Sequence, residues 1–372
     1  VTFRKSAPAL LIAAFSFAVV AITGIAMLLT SGMLANAESD SFRLMKNVLT
    51  NSLRSAEERA LVRAELVSSM PSVRAAFQAR DRDRLQAECK DMFKEQAEKY
   101  GLDQAQFHVP PGVSFLRLHN PGKFGDDQTS YRPMLSEVHR EKALRKGAAI
   151  TLAGPVIAGI VPVTNDKNEH MGSFEMGLDF APMLERIKTA YRLEVAAFID
   201  ERMLRDIAKD LPAEHLSPQN RVGKYIRYHA THPDLMKALV TDADVQVTEP
   251  VSYERKVAGS PWGVQLVPMY NYANKQIGVY ALSMDFSDTR ALQGRSRVWQ
   301  GLAALFAIVL LAGFTLVVVR GVLLAPLGTL NERFKALADG DASQAADPGD
   351  SYCGELRDLA GNYEKLRSQR GE

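Results

Sequence analysis

The densest run of polar chemistry in the 372-residue chain lies between Arg117 and Arg132. Arg117 and His119 are two apart in a run that reads as a strand, so both project from one face. Gly122 and Gly125 then break the chain into a loop that carries Asp126 and Asp127. Ser130 is placed as an N-cap, and Pro133 falls in the first turn of the following helix. Tyr131 and Arg132 then sit at a helix start, where free backbone N–H groups favour an anion. Two guanidiniums, a histidine and a helix N-terminus make a carboxylate clamp, with bidentate geometry available from arginine. Asp126 or Asp127 would orient an arginine or take an ammonium group. Glu175 and Asp179, on the returning strand, would face the same pocket. The candidate ligand-binding set is therefore Arg117, His119, Asp126, Tyr131, Arg132 and Glu175. A plainer reading stays open beside it: Arg117 pairs with Asp126 or Glu175 simply to fix the loop on its sheet.

Other constellations carry less. His229 and His232 have H-x-x-H spacing on an expected helix over residues 222–240, but no third ligand is near, so a solvated face is expected rather than a metal site. Arg117, His119 and Asp126 also read as a general acid–base set for an exported hydrolase. The chain holds no G-x-S-x-G elbow and no H-E-x-x-H, so no catalytic residue, cofactor or metal is expected. Met33, Met45, Met70 and Met92 read as fillers of packing gaps. Tyr253, Trp262, Tyr270, Tyr272 and Tyr280 read as a pocket or as ordinary sheet packing.

The elements that must position these residues begin at the two ends. Of the chain, 47% is apolar and 24% charged, with a formal net charge of +2, which argues against a polybasic nucleic-acid binder. Thirty-two residues between Lys5 and Glu38 carry no charge, nor do 22 between Arg297 and Arg320. A span needs about 20 apolar residues, so both qualify. Arg4, Lys5 and Ala35-Asn36-Ala37 also fit a cleaved signal peptide, but the apolar run exceeds such a core, which favours an anchor. Lys and Arg in the short flanks place both termini in the cytoplasm and residues 38–297 outside. Two cysteines, Cys89 and Cys353, then face opposite compartments, which excludes a disulfide scaffold.

Residues 155–180 and 261–286 align without gaps at an offset of 106, with eight identities in 26 positions. These are Pro155/Pro261, Val161/Val267, Pro162/Pro268, Asn165/Asn271, Asn168/Asn274, Gly172/Gly278, Asp179/Asp285 and Phe180/Phe286. Each copy reads as a hairpin with an Asn-rich turn, so two modules of about 100 residues are expected. Each would be a small antiparallel sheet with helices on one side, an α+β arrangement. Further strands are expected over residues 106–109, 113–118 and 193–199, and a helix over 131–142. Ahead of them, apolar residues at 3–4 spacing from Phe42 to Met70 predict one long helix over residues 40–79. After the second span, Leu327, Leu330, Phe334 and Leu337 repeat a 3-4-3 spacing that returns at Leu356, Leu359, Tyr363 and Leu366. Two short heptad helices complete a four-helix bundle only when two chains contribute, which implies a homodimer.

Here the residues carry a resemblance. A connector of about 15 residues holding Gly340-Asp341 and Pro348-Gly349 separates the two heptad helices, and Pro326 past a span, Gly340-Asp341 ending one helix and Gly354-Glu355-Leu356 opening the next resemble a HAMP linker. The exported part resembles a double Cache sensor, the tandem PAS-like module of bacterial chemoreceptors and sensor kinases. Arg117-Leu118-His119-Asn120-Pro121, Phe124-Gly125-Asp126-Asp127 and Tyr131-Arg132 look like a motif of one double Cache subgroup. The resemblance implies an inner-membrane layout: 1–8 cytoplasmic, 9–34 and 298–324 transmembrane, and 38–100 a stalk and helical entry. A membrane-distal module at 101–190, a membrane-proximal module at 191–297 and HAMP at 325–372 complete it. It implies a sensor that binds a small ligand, for which the clamp above would suit a carboxylate, and that relays a change through HAMP to a cytoplasmic partner. A tethered binding or scaffold protein and the sensory half of a histidine kinase system are the alternatives. Relatives of this layout continue into output domains, whereas this sequence ends at Glu372 with no ATP-binding motif, so no output activity is expected within it.

Overall fold

The computed structural model describes residues 3–347, Tyr352 and residues 354–371. It divides into two compact units, Asn36–Asp288 and the two ends of the chain together. The first helix, α1, runs over Phe3–Ser68 and is followed by α2 (Pro71–Gln78) and α3 (Arg82–Tyr100). The single helix expected over residues 40–79 is therefore broken. Pro71 opens α2 and drives Met70 into an extended conformation, with ψ at 128°.

A first sheet follows, built from β1 (Leu102–Val109), β2 (Val113–Arg117), β3 (Arg145–Ile150), β4 (Pro155–Thr164) and β5 (His170–Leu178). The helix α4 (Pro133–Glu141) lies between β2 and β3 in sequence, and the spatial strand order is β2-β1-β5-β4-β3. Then α5 (Phe180–Tyr191) connects to a second sheet of β6 (Glu194–Asp200), β7 (Arg221–Val222), β8 (Tyr225–Ala230), β9 (Val251–Val257), β10 (Ser260–Tyr270) and β11 (Gln276–Asp285). Its order is β7-β8-β6-β11-β10-β9, with α6 (Glu201–Ile207) and α7 (Pro233–Leu239) in its connections. All neighbours in both sheets are antiparallel. The helix expected over residues 222–240 is β8, a turn and a short α7, because Pro233 can only open a helix and Tyr225-Ile226 pair with β6.

The repeated residues occupy equivalent places. In each hairpin the first Asn of the turn bonds the residue four on in both directions: Asn165 N–H donates to Glu169 O at 3.0 Å and Asn271 N–H to Lys275 O at 2.9 Å, while the Asn165 and Asn271 side-chain oxygens accept from Glu169 and Lys275 N–H. Asn168 and Asn274 take the left-handed conformation, at φ 65° and 55°. Asp179 and Asp285 accept from the backbone two residues on, and Phe180 and Phe286 are buried.

Helices cover both faces of the sheets, not one face as the sequence pattern implied. On one side Ala56, Ala60 and Ala64 of α1 join Phe107, Ile157, Val161 and Phe174 of the first sheet and Val195, Ala197 and Leu282 of the second in one continuous core. On the other side α4 buries Met134, Leu135 and Val138 against Val156, Ala158 and Ile160, and α7 buries Met236 and Leu239 against Phe198 and Val264. Strand β4 is apolar at successive positions because it is sandwiched from both sides.

In the other unit, α8 (Ser287–Val317) passes through a π-type stretch, Val318–Leu324, into α9 (Ala325–Ala338); α10 spans Glu355–Gly371. Pro8–Ser68 and Ser287–Ala338 each contain a stretch long and apolar enough to cross a membrane. Leu330 and Tyr363 are buried, and the Phe334 and Tyr363 rings meet edge to face at 5.0 Å. Pro348, Gly349 and Cys353 lie outside the described residues.

Candidate functional site

Strand β1 alternates Gln104, Gln106 and His108 with Ala105 and Phe107, so one face of the first sheet is apolar toward α1 and the other is polar. Every one of those polar side chains is buried. Across the ladder, Gln106 stands opposite Glu175 of β5 on one side and Arg117 of β2 on the other, and His108 stands opposite Ser173. Over this face lies the start of α4. Its N-cap is Arg132, not Ser130, and no side chain caps it.

Arg132 is 2% exposed and its guanidinium pairs with Glu175, itself 3% exposed. A second arginine, Arg117, is held by both oxygens of Asp126 at 2.7 Å and donates to Lys123 O at 2.8 Å. The carboxyl of Asp126 is kept below its usual range, chiefly by that hydrogen bond. Arg117 thus fixes the loop, as the plainer sequence reading has it, with Asp126 as its partner and Glu175 taken by Arg132. The loop is tied further by Ser114 N–H to Asp126 O and by Lys123 to Asp210.

A chain of imidazoles runs along the same face. His108 Nε2 is 3.6 Å from the second Glu175 oxygen, and its Nδ1 is 3.2 Å from Ser173 Oγ. Ser173 Oγ is 3.1 Å from His139 Nε2, and His139 Nδ1 is 3.0 Å from His170 Nε2. One proton on the Nε2 of each ring satisfies the links through Ser173 and between the imidazoles and leaves the Nε2–H of His108 facing Glu175 at 3.6 Å, beyond hydrogen-bond reach. Burial, then the charges of Arg132, His139 and Arg117, hold His108 well below 6.5; burial and His170 bring His139 to about 4. His170 is likewise lowered by burial.

These shifts have a sign. Below pH 6.5 an unfolded histidine takes a proton that folded His139 refuses until about pH 4, so the unfolded state binds more protons and stability falls as pH falls through that window. The urea midpoint should therefore drop between pH 7 and pH 5, and His139→Gln should flatten the slope by about one proton. An unchanged slope in that variant would remove His139 from the account.

Buried polar atoms with no partner within the chain collect at this face. They are Gln106 Nε2, His108 Nε2, Gln128 Nε2, Arg132 Nε, Tyr131 OH and Glu175 Oε2, with Ser114 Oγ beside them. Native interiors rarely leave such groups unpaired; water, an ion or a ligand usually meets them. Burial pushes the Tyr131 phenol up to about 12, so it stays a neutral donor. A small cavity beside Tyr131 and Arg132 is closed by Asn271 and Tyr272 from the β10–β11 turn. Tyr272 OH donates to Glu137 of α4, and Arg145 lies against the same ring.

Of the six sequence candidates, Arg117, Asp126, Tyr131, Arg132 and Glu175 come together here. His119 lies past the end of β2, its Nδ1 3.3 Å from Ala105 O and its pKa lowered by burial, so it sits apart from the Arg132–Glu175 pair. Asp179 caps α5 instead of facing the pocket. His229 is a strand residue paired with Glu185 at 3.0 Å, and His232 caps α7, so the two are not on one helix face. Sequence reading missed Gln106, His108, Gln128, Ser173, His139 and His170. The alternating Gln104-x-Gln106-x-His108 was the available signal. Among the described residues, no group of three or more His, Cys, Asp or Glu is placed to hold a metal.

The family model for the double sensory domain of two-component sensor kinases matches residues 37–289. No curated protein matches the chain. Among solved structures, the sensory domain of the Campylobacter jejuni chemoreceptor Tlp3 with isoleucine bound is similar over 71% of this chain and 96% of its own, at 10% identity and a TM-score of 0.40. The periplasmic domain of Vibrio cholerae LuxQ aligns over 67% and 99%, at 10% identity and a TM-score of 0.37. The sensor domain of the V. cholerae histidine kinase DctB aligns over 68% and 97%, at 10% identity and a TM-score of 0.37.

Proposed function

Because the chain belongs to the double sensory, or double Cache, domain family of two-component sensor kinases, we propose that it is a transmembrane sensor whose first sheet binds a small polar ligand. The observation that carries this reading is the cluster of unpartnered buried atoms around Arg132 and Glu175. Gln106, Gln128 and Arg132 offer N–H donors to a carboxylate or other acceptor, and Glu175 Oε2 offers an acceptor to an amine or hydroxyl. Binding there pulls on Arg132, which begins α4. The same helix carries Glu137, bonded to Tyr272 at the tip of the β10–β11 hairpin. Strand β11 continues through Phe286 into α8, so a shift of α4 has a path of contacts to the second apolar helix.

The layout we propose puts residues 38–297 on the periplasmic side of the inner membrane and both termini in the cytoplasm. We read α9 and α10 as a HAMP-type helix pair that completes its bundle in a homodimer. Pro326 at the start of α9, the left-handed Gly340 after it and the buried Leu330 and Tyr363 support that reading.

The test is a thermal-shift screen of the full chain in detergent against amino acids, organic acids, amines and purines. A ligand at a hundredfold over its Kd stabilises by about 2.7 kcal/mol. Gln106→Leu and Gln128→Leu should each weaken a true ligand roughly tenfold or more, since each deletes a hydrogen bond to a polar or charged group. A hit untouched by both changes, or none in the panel, would defeat the assignment of the site.

A further inference from the structure

A second cleft lies on the opposite side of the first sheet, between α1 and α5, remote from Arg132 and Glu175. It has a volume of about 390 Å³ and is lined by Asn51, Ser55 and Arg59 of α1 and by Arg186 and Tyr191 at the end of α5. Arg59 also lines an adjoining cleft with Arg63, one helical turn on. Arg59 and Arg186 thus share the first cleft, and Arg63 stands in the one that adjoins it. Among the described residues none of the three has a carboxylate within 4 Å, although ion pairs are frequent elsewhere on this unit. Glu58, the nearest acid in sequence, is taken by Lys146. The Arg63 guanidinium lies over the Tyr100 ring at 5.0 Å from its centre, and its Nη1 is a buried donor with no hydrogen-bond partner. The pKa of Arg59 is lowered by burial first and then by the charges of Arg186 and Arg63; that of Arg63 is lowered by burial first, against the opposing effect of Tyr100, and then by Arg186.

Like charges gathered without a counter-ion destabilise a fold unless an anion joins them. Guanidiniums flanked by amide and hydroxyl donors match the several oxygens of a tetrahedral oxyanion, each of which accepts more than one hydrogen bond. We propose that this cleft is a binding site for a phosphate-type oxyanion, free or as a phosphomonoester. Arg59 binds it from α1 and Arg186 from α5, with Arg63 adding positive charge from the adjoining cleft. Because α5 is the connection between the two sheets, an anion here ties that connector to the long helix. The site is independent of the ligand face described above.

The test uses the full chain in a sugar-headed detergent, in chloride buffer at constant ionic strength. Phosphate should raise Tm along a saturating curve. Arg186→Gln, at an exposed position, should leave Tm in chloride equal to or above that of the parent, because repulsion is relieved, and should abolish the phosphate-dependent rise. Arg59→Gln should do the same. Glycerol 3-phosphate in place of phosphate separates the two sources: a rise with it supports a phosphomonoester, and a rise with phosphate alone supports the free ion. An unsaturating rise equal in parent and variants is the general salting effect of an excluded anion and would overturn the proposal. A loss of dimer in the variants with no phosphate effect would overturn it too, because the cleft would then be an interface between two copies. Calorimetric titration of phosphate into parent and Arg186→Gln gives the same decision without relying on unfolding.

Discussion

Arg132→Ala should destabilise the protein by about 3–5 kcal/mol. Arg132 and Glu175 are almost wholly withdrawn from water, and removing one of two buried opposite charges leaves the other uncompensated. The loss is the desolvation of Glu175 more than the strength of the pair itself. The double variant Arg132→Met, Glu175→Met should therefore recover most of it, because a buried ion pair exchanged for apolar side chains is often neutral. Denaturant unfolding of parent, single and double variants in one detergent measures this directly. A double variant as unstable as Arg132→Ala would mean that the neighbouring Gln106 and His108 depend on the charges. Loss of ligand response in a double variant that has regained stability separates the sensing role of the pair from its packing role.

The second large effect concerns how α1 meets the first sheet. A Cβ at Gly159 of β4 would stand 2.4 Å from the backbone nitrogen of Leu61, 2.5 Å from its Cα and 2.7 Å from the carbonyl carbon of Ala60. These are backbone atoms of a helix and cannot swing aside as a side chain can. Gly159→Ala should cost about 3 kcal/mol, by forcing α1 off β4 along Ala56, Ala60 and Ala64. In the same module Gly122→Ala, whose Cβ would meet only Asn120 Oδ1 at 3.9 Å, should stay within about 0.5 kcal/mol of the parent. Equal costs at both positions would show that close approach to α1 does not set the effect at Gly159.

Much of the fold was legible because it rests on local chemistry. The paired hairpins follow from asparagines that bond their own turns and accept a left-handed backbone, and these act within four residues of each other. Pro71 and Pro233 stop what they stop regardless of the surroundings, which is why the expected helices over 40–79 and 222–240 were cut at those points. Covering of the sheets on both faces was harder to read. Continuous apolar runs such as Pro155-Val156-Ile157-Ala158 suit a buried helix segment as well as a strand covered on both faces, so periodicity alone does not assign them.

The site divides the same way. Arg117 and Asp126 are nine residues apart across one loop, so their pairing was within reach of a sequence argument. Arg132 and Glu175 are separated by 43 residues, and two strands and a helix lie between them. Sequence alone determined the modules, the apolar spans, the turns and the polar residue types that a binding face requires, because each depends on spacing along a single element. Only the tertiary structure decided which arginine meets which acid, why His119 and Asp179 stand aside, and why arginines from two helices line one cleft. Those contacts depend on strand register and on the approach of α1, α4 and α5 to the sheet, both set by packing between residues far apart in the chain.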